Sequence, residues 1–476
     1  MHNTSFDTQY QDKAVAVIGF GVTGQACVKF MLARGANVTL FDSKYDDLLD
    51  KQIDDPLLVQ VKLARFDESS EFEGFHLVLV SPGVNTQKNA IQRAIKLGLP
   101  LVSDIELFAR HNTTPTIGIT GSNGKSTVVD MLNTGLSKEG LKVAVGGNFG
   151  NSVLELLDEQ YDVIVLELSS FQLELTFSLK LSVAAILNVS EDHIDRHGDL
   201  LSYARAKQGI YKHADVCIFN RDDVLTAIPP EALPESKSQG VDDSRSQRLF
   251  SFGKTAPLAC SQAVELAIFE NAEGLYINNA KILKYEAIAH LAKHNVLNLQ
   301  VALLCAKAIL KDDNAFKKCT MSLMTYRGLA HRFSLVRQTT LANGMQTQWI
   351  NDSKATNPGA AIAAINCINE NDNLVLLVGG DSKGTDLSEL KSLISSRVNL
   401  LLSMGKDARR FAGCCANTEF VASMESAVNA AKQYVETCTT NSVVLLSPAC
   451  ASMDMFKNYQ HRGEVFEQAV NAQEFS

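Results

Sequence analysis

A glycine-rich turn that ends in Lys125 and Ser126 carries the strongest chemical signal in the chain. Residues 114–132 read TPTIGITGSNGKSTVVDML. Residues 116–120 have the pattern of a short buried strand, and a helix pattern starts at Ser126. A turn between them points backbone N–H groups at an anion on the helix N-terminus. Lys125 can reach the terminal phosphates of ATP and the Ser126 hydroxyl can hold Mg²⁺, so the turn predicts an ATP-binding loop.

The glycines of this turn do not sit where the common phosphate-loop pattern places them. In G-x-x-x-x-G-K-[ST] the first glycine would fall at Ile119, whereas the chain has Gly118 and Gly121. Gly121 and Gly124 still allow positive φ and close backbone approach. The predicted phosphate-binding residues are Gly121, Ser122, Asn123, Gly124, Lys125, Ser126 and Thr127.

A second glycine motif, GFGVTG at residues 19–24, follows a strand pattern and opens a helix pattern. Asp42 ends the next predicted strand, where an acid that binds a ribose would sit. Taken alone, this arrangement indicates a dinucleotide site. A purely structural strand–helix turn is the alternative.

Four polar residues after the phosphate loop could do chemistry. Asn148 and Glu167 end predicted strands, and Glu167 lies beyond the strand that would neighbour the loop, where a Mg²⁺-binding carboxylate is placed. Three of them, Glu167, His193 and Lys207, have an ordinary interpretation as well. Glu167 could be a solvated strand end or cap, His193 part of a polar loop, and Lys207 a surface lysine on a helix.

The hydrophobic pattern supplies the elements that must position these residues. Apolar runs that alternate with helix patterns predict parallel, doubly wound α/β sheets. Residues 229–250 are polar and rich in Pro and Ser, which predicts an exposed loop, and a helix pattern starts at His294. The predicted strands are 13–19, 37–42, 77–83, 116–120, 141–147, 161–169, 183–190, 347–353, 373–382, 398–405 and 442–450.

Length and composition narrow the class of protein. A chain of 476 residues predicts about three domains, and polar segments place them at 1–111, 112–326 and 327–476. The net charge of -9 argues against nucleic acid as a partner. The polar N-terminus and the apolar runs, all too short for a bilayer, predict no membrane association. Ten scattered cysteines without a C-x-x-C pair indicate reduced thiols in the cytoplasm.

TGSNGKS at 120–126 and NDSKATN at 351–357 resemble segments of the Mur ligases and folylpolyglutamate synthases, ATP-dependent enzymes that form amide bonds. In that family the displaced glycine is usual. The resemblance implies a Rossmann-like N-terminal domain that binds a UDP-sugar instead of a dinucleotide. It further implies a central P-loop ATPase domain with a parallel sheet and a Rossmann-like C-terminal domain that binds an amino acid, in a protein expected to be a monomer.

The resemblance also assigns roles to residues. For ATP it implies Asn298 on the adenine, Asp352 on the ribose, and Arg332 and Lys354 on the phosphates. It implies two Mg²⁺ ions held by Ser126, Glu167, His193 and Lys207, with Lys207 carbamylated by CO₂. Lys125, Lys207, His193 and Lys383 would be catalytic. The UDP-sugar residues would be Val22, Thr23, Asp42, Ser43, Lys44, Ser81, Pro82, Gly83 and Asn148, with Lys44 where the family usually has Arg.

The C-terminal segment LLSPACASMDMFKNYQHRGEVF, residues 445–466, closely resembles the signature of family members that add D-glutamate. GGDSKGTD at 379–386 is a partial match to the same group. The implied reaction joins D-glutamate to UDP-N-acetylmuramoyl-L-alanine, two small-molecule substrates. The D-glutamate carboxylates would be held by Lys383 with Thr356 and by Ser452, Met453 and Tyr459.

Three other functions remain open at this point. A ligase for a different amino acid would carry a different C-terminal segment. An NAD-dependent oxidoreductase built on GFGVTG would leave GSNGKS and NDSKATN unexplained. A non-catalytic nucleotide sensor would keep the phosphate loop but would not need Lys207 or Lys383.

Overall fold

The computed structural model describes residues 8–229, 247–257, 264–288, 293–326 and 328–474. Its strands form three sheets that follow one another along the chain. Within these ranges every helix is too short or too polar to cross a membrane. Arg327, the expected start of the third domain, lies outside the described residues, and so do residues 230–246 of the predicted exposed loop.

The N-terminal sheet is parallel and has the order β3-β2-β1-β4-β5, which confirms the expected Rossmann-like domain. A Cβ on Gly24 would lie 1.8 Å from the carbonyl oxygen of Gly19, so only glycine lets the first helix start this close to the first strand. The elements are β1 Ala14–Ile18, α1 Val22–Leu32, β2 Asn37–Asp42, α2 Tyr45–Lys51, β3 Lys62–Arg65, β4 Leu77–Val80, α3 Asn89–Lys96, β5 Leu101–Val102 and α4 Asp104–Ala109.

Within the described residues the central sheet has nine strands in the order β14-β13-β12-β11-β10-β9-β6-β8-β7. The pairs β12–β13 and β13–β14 are antiparallel, and the other pairs are parallel. Its elements are β6 Thr116–Thr120, α5 Lys125–Lys138, β7 Val143–Gly147, β8 Val163–Glu167, α6 Ser170–Glu174, β9 Leu181–Ile186, α7 Ile194–His197, α8 Leu200–Gln208, β10 Ala214–Asn220, β11 Arg248–Gly253, β12 Val264–Asn271, β13 Gly274–Ile277, β14 Ala280–Lys284, α9 Tyr285–Ile288, α10 Lys293–Ile309 and α11 Asp313–Leu323.

The exposed loop predicted in the central domain extends too far at its C-terminal end. Residues 229–250 were expected to form an exposed loop, but β11 begins at Arg248 and pairs in parallel with β10. Phe250 and Phe252 of this strand are buried in the core beneath α10. Because polar residues directly precede β11, its short pattern of alternating apolar residues was not recognised as a strand in the sequence.

The C-terminal sheet has the order β15-β16-β20-β17-β18-β19 and is parallel except at β15, which pairs antiparallel with β16. Its central strands are buried on both faces, as their unbroken apolar sequences predict. The elements are β15 Ser334–Thr340, β16 Gln346–Asn351, α12 Pro358–Ile365, β17 Asn373–Gly379, α13 Ser388–Arg397, β18 Leu400–Met404, β19 Thr418–Phe420, α14 Met424–Val435, β20 Ser442–Leu446 and α15 Tyr459–Asn471.

Helix α4 fastens the N-terminal domain to the central one. The carboxylate of Glu106 accepts hydrogen bonds from the backbone N–H groups of Phe177 and Ser178, at 2.7 and 2.9 Å, and from the Arg110 side chain at 3.0 Å. The Ser103 hydroxyl donates to the Leu175 carbonyl at 3.1 Å. These bonds fix how the first sheet meets the second.

We expect the free energy of unfolding to depend on pH through Asp104, the first residue of α4. Asp104 is buried, and burial raises its pKa to about 6 from an ordinary 3.8. This carboxyl therefore favours folding at low pH, and that contribution is lost as the pH rises through about 6. The shift of about two units corresponds to roughly 3 kcal/mol, from which the lost attraction to the helix N-terminus subtracts. We expect Asp104→Asn to stabilise the protein by about 1–3 kcal/mol at pH 8 and by little at pH 4.5.

Thermal unfolding of Asp104→Asn at both pH values measures this effect. Asp50→Asn removes the same charge from an exposed position on α2 and serves as the control. A difference in Tm between Asp104→Asn and wild type that does not grow with pH would contradict the assignment.

Candidate active site

A cavity of about 830 Å³ opens between the central and C-terminal domains. Its central-domain wall is made at the carboxyl ends of parallel strands. Five polar residues of the lining lie where these strands end. Glu167 and Asn220 are the last residues of β8 and β10, and Lys125, Asn188 and Lys254 follow β6, β9 and β11. Ligands of open α/β sheets bind at this edge.

The phosphate loop has the conformation that its glycines predict. Gly121 and Gly124 have φ values of 151° and 85°. A Cβ on Gly124 would lie 2.4 Å from Oδ1 of Asn298, so α10 packs directly against the loop. Gly118 lies inside β6, where a Cβ would come 2.7 Å from the Leu181 side chain. The displaced glycine therefore serves strand packing, and Gly121 shapes the loop.

Asn188 anchors the loop and was not predicted from the sequence. Its Oδ1 accepts the Asn123 N–H at 2.9 Å, its carbonyl accepts the Ser122 N–H at 2.9 Å, and its Nδ2 donates to the Asn123 carbonyl at 3.2 Å. Its position just after β9, at the same sheet edge as the loop, is the signal that could have found it.

Lys125 folds back over its own loop. Its Nζ donates to the carbonyls of Gly121 and Ser122 at 2.7 and 2.8 Å. Burial lowers the pKa of Lys125, although the carboxylates of Glu167 and Asp192 oppose the shift. The ammonium is thus held over the loop, at the place where a polyphosphate would lie.

Glu167 is buried, so its interpretation as a solvated strand end is wrong. Its two oxygens accept hydrogen bonds from the Ser126 hydroxyl and from the Asn148 amide, the latter at 2.8 Å. Burial disfavours its ionised form, but Lys125 and these hydrogen bonds outweigh burial and lower the pKa of Glu167. A hydroxyl beside an ionised carboxylate is the oxygen donor set that Mg²⁺ takes next to nucleotide phosphates.

His193 lies on the same cavity wall. Its ring packs edge-on against Phe171, with 5.0 Å between ring centroids, and its Nε2 lies 3.7 Å from Oδ2 of Asp192. Its φ of 55° is left-handed, at the start of α7. Across the described residues no three His, Cys, Asp or Glu side chains gather as a metal cluster.

Lys207 is not a surface lysine, because its side chain is only 1% exposed. Its Nζ donates to the Gly121 carbonyl at 2.9 Å, the same oxygen that Lys125 engages, and lies 4.3 Å from the centre of the Tyr203 ring. Burial and the neighbouring Lys125 charge lower the pKa of Lys207 well below its ordinary value. Two amines therefore meet at one oxygen of the phosphate loop.

The C-terminal domain closes over the loop. Arg332 donates to the Ser126 hydroxyl at 2.7 Å, and the Asn357 amide donates to Oδ1 of Asn123 at 3.1 Å. Burial and the charge of Arg332 lower the pKa of Lys354 to about 8. A bound polyanion would relieve this repulsion between cations.

Asp352 is tied to its own domain. Its oxygens accept hydrogen bonds from the Phe333 N–H at 3.1 Å and the Ser447 hydroxyl at 2.9 Å, and burial raises its pKa to about 7. Most of the predicted ATP and metal residues line the same cavity: Ser122, Asn123, Gly124, Lys125, Ser126, Thr127, Glu167, His193, Asn298, Arg332, Lys354 and Asp352 itself. Thr356, which was predicted to bind D-glutamate, lines it as well.

The other predicted amino-acid residues lie outside this lining set. The backbone groups of Asp381 and Ala451 exchange hydrogen bonds of 3.0 and 2.9 Å, which sets the Lys383 loop beside the segment that carries Ser452. Met453 is largely exposed. The ring of Tyr459 lies 4.1 Å from Nζ of Lys354 and so connects this region to the cavity.

The predicted UDP-sugar residues lie at the carboxyl edge of the N-terminal sheet, except Asn148, which lies in the central cavity. The carboxylate of Asp42 accepts the N–H groups of Phe20 and Lys44, each at 2.8 Å, and the Ser81 hydroxyl donates to the Gly19 carbonyl at 3.1 Å. Asp42 and Ser81 thus hold the glycine-rich turn in shape. Val22, Thr23, Ser43, Pro82 and Gly83 lie in the adjoining loops or helix start.

Comparisons with known proteins agree over most of the chain. Three family models match: "Mur ligase MurD-like, N-terminal domain" over residues 13–103, "Mur ligase middle domain" over 119–306 and "Mur ligase, glutamate ligase domain" over 331–450. The UDP-N-acetylmuramoylalanine–D-glutamate ligase of Pasteurella multocida is 36% identical over 459 residues, which cover 96% of this chain and 98% of that protein. The ligase of the same name from Pseudoalteromonas translucida is 36% identical and covers 98% of this chain and 99% of its own length.

Solved structures share the fold at lower identity. MurF from Acinetobacter baumannii superposes with a TM-score of 0.56 at 16% identity and covers 98% of this chain and 92% of its own. The UDP-N-acetylmuramate–alanine ligase of Thermotoga maritima has a TM-score of 0.54 at 16% identity and covers 97% of this chain and 100% of its own. With three matching domain models and relatives at 36% identity along its length, the chain belongs to the Mur ligase family.

Proposed function

We propose that this chain joins D-glutamate to UDP-N-acetylmuramoyl-L-alanine, coupled to the cleavage of ATP to ADP and phosphate, as a monomer in the cytoplasm. The observation that carries the proposal is the cavity in which Lys125, Arg332 and Lys354 converge at the phosphate loop. The relatives at 36% identity are named for this ligation.

The reaction runs in two steps. The L-alanine carboxylate attacks the γ-phosphorus of ATP, which forms an acyl phosphate and releases ADP. The D-glutamate amine then attacks the acyl carbon, a tetrahedral intermediate forms, and phosphate leaves as the amide forms and the amine loses a proton. Phosphate is a far better leaving group than oxide, so the protein has mainly to position the anions and to neutralise their charge.

The residues of the cavity divide this work. Lys125 and Arg332 face the phosphates from opposite domains, Lys354 adds a third cation, and Asn298 and Asp352 take the adenine and ribose. The donor set of Ser126 and Glu167 suits Mg²⁺, which when bound neutralises phosphate oxygens. We assign a second ion to His193 and to a carbamate on Lys207, whose amine is buried beside the loop at Gly121.

The remaining residues bind the two substrates. Val22, Thr23 and the loops at Asp42 and Ser81 take the UDP-sugar at the edge of the N-terminal sheet. Lys383 and Thr356 pair one D-glutamate carboxylate, and the segment from Ser452 to Tyr459 holds the other.

Selectivity for D-glutamate tests the choice of amino acid. An amino acid with one carboxylate leaves one of two anion sites unpaired, which costs about a thousandfold or more in kcat/KM. L-Glutamate carries the same charges, but its amine points away from the acyl phosphate when both carboxylates are bound. We expect Lys383→Ala to raise KM for D-glutamate far more than KM for ATP.

Phosphate release with D-glutamate, L-glutamate, D-alanine and L-alanine at matched concentrations provides the measurement. Lys391→Ala, which removes an amine from α13 of the same domain, is the control for Lys383→Ala. Equal use of either alanine would refute the assignment of D-glutamate and favour a family member specific for another amino acid.

A further inference from the structure

The loop that carries Lys383, residues 381–385, holds its lysine in a left-handed conformation. Lys383 has a φ of 51°, its N–H bonds to Oδ1 of Asp381 at 2.9 Å, and the Thr385 N–H bonds to the Ser382 carbonyl at 3.0 Å. Such a conformation is unfavourable for a non-glycine residue and persists only where its surroundings enforce it. The direction in which the Lys383 side chain leaves the loop therefore depends on what supports the loop.

A neighbouring turn, residues 405–410, provides that support. Oδ2 of Asp407 accepts the Ser382 N–H at 2.8 Å and its hydroxyl, and the Asp407 N–H donates to the Gly380 carbonyl at 3.0 Å. The Arg410 guanidinium donates to the Ser382 hydroxyl through Nη1 and to the Thr385 carbonyl at 2.9 Å through Nη2. One planar group thus binds the loop on both sides of Lys383.

The contacts of Arg410 differ from those of the other cations on this turn. Ser382 is buried, and Arg410 is half-buried above it. Lys406 is exposed and makes a surface ion pair of 2.9 Å with Asp381, and Arg409 is exposed and faces the ring of Phe420. A guanidinium holds two acceptors in fixed geometry, which an amine cannot do. The loop of residues 381–385 therefore depends on the planar geometry of the Arg410 guanidinium as well as on its charge.

We propose that Arg410 is a positioning residue for the amino-acid substrate: it fixes the loop of residues 381–385 so that Lys383 meets a substrate carboxylate. The inference rests on the proposed function, in which Lys383 pairs with D-glutamate. Arg410 acts through Lys383 and need not touch the substrate.

The test compares two neighbouring arginines that carry the same charge. We expect Arg410→Ala to raise KM for D-glutamate about tenfold, with KM for ATP and kcat at saturating D-glutamate within about twofold of wild type. Arg409→Ala should leave all three constants unchanged. Arg410→Lys, which restores one hydrogen bond, should give an intermediate KM for D-glutamate. Combining Arg410→Ala with Ser382→Ala should raise KM by less than the product of the single effects, because both break the same contact.

The outcomes separate this inference from the function on which it rests. If wild type uses D-glutamate and Arg410→Ala has the same KM for it as Arg409→Ala, the positioning role is refuted and the function stands. A parallel rise in KM for ATP, with a lower Tm, would also overturn it, since Arg410 would then serve only general stability. If wild type releases no phosphate with D-glutamate, both the function and the inference fail.

Discussion

Replacing Lys125 with alanine is expected to lower turnover by several orders of magnitude. The ammonium sits over the phosphate loop, held by the carbonyls of Gly121 and Ser122. In the proposed reaction it would neutralise charge that develops on the γ-phosphoryl oxygens, in the cavity between the central and C-terminal domains. A preorganised charge contact of this kind contributes about 3–5 kcal/mol to the transition state. Single-turnover phosphate release separates this loss from weaker ATP binding.

Lys138→Ala provides the matched control for this loss. It removes an exposed lysine from the last turn of the same helix, α5, about 20 Å from Lys125 at 1.5 Å per residue. Its turnover should equal that of wild type. Near-normal turnover in Lys125→Ala, at ATP concentrations that saturate it, would disprove the assignment of the loop.

Local sequence predicted the phosphate loop and eleven of the described strands, because the information for these elements is local. It did not predict β3, β5, β10, β12, β13, β14, β15 or β19. Most of the predicted strands contain an unbroken apolar run, and a glycine-rich turn between strand and helix has few alternative conformations. β11 was missed in part because its apolar residues directly follow a long polar run. Its burial is decided by pairing with β10 and by α10, which lies about forty residues further along the chain.

The rest of the candidate site depends on topology. Asn188, Asn220 and Lys254 share the cavity because β9, β10 and β11 are neighbours and end at one edge of the sheet. The spacing of these residues in the sequence does not reveal this. The burial of Lys207 has the same origin. Its helix, α8, alternates polar and apolar residues, and only the packing of that helix shows that the lysine points at Gly121 instead of at solvent.

Lys207→Ala is expected to be nearly inactive. If CO₂ adds to the buried amine with loss of a proton, the resulting carbamate places an anion beside the phosphate loop, next to the ammonium of Lys125. Alanine supplies neither charge nor ligand. Removing a charged group from a closed site that stabilises a developing charge costs about a hundredfold to a thousandfold, and more where it completes a metal shell.

Chemical rescue of the variant and isotope labelling of the carbamate test whether the missing carbamate causes this loss of activity. Acetate or formate should partly restore turnover in Lys207→Ala by filling the vacated anion site, whereas Lys212→Ala, at an exposed position just after the same helix, should be fully active without them. In ¹³C-bicarbonate the wild-type enzyme should show a carbamate carbon signal that Lys207→Ala lacks and Lys212→Ala keeps. Full activity of Lys207→Ala in CO₂-depleted buffer would show that Lys207 has no catalytic role. If Lys207→Ala is inactive but wild type shows no labelled carbamate, Lys207 is essential as an amine and the carbamate is not part of the mechanism.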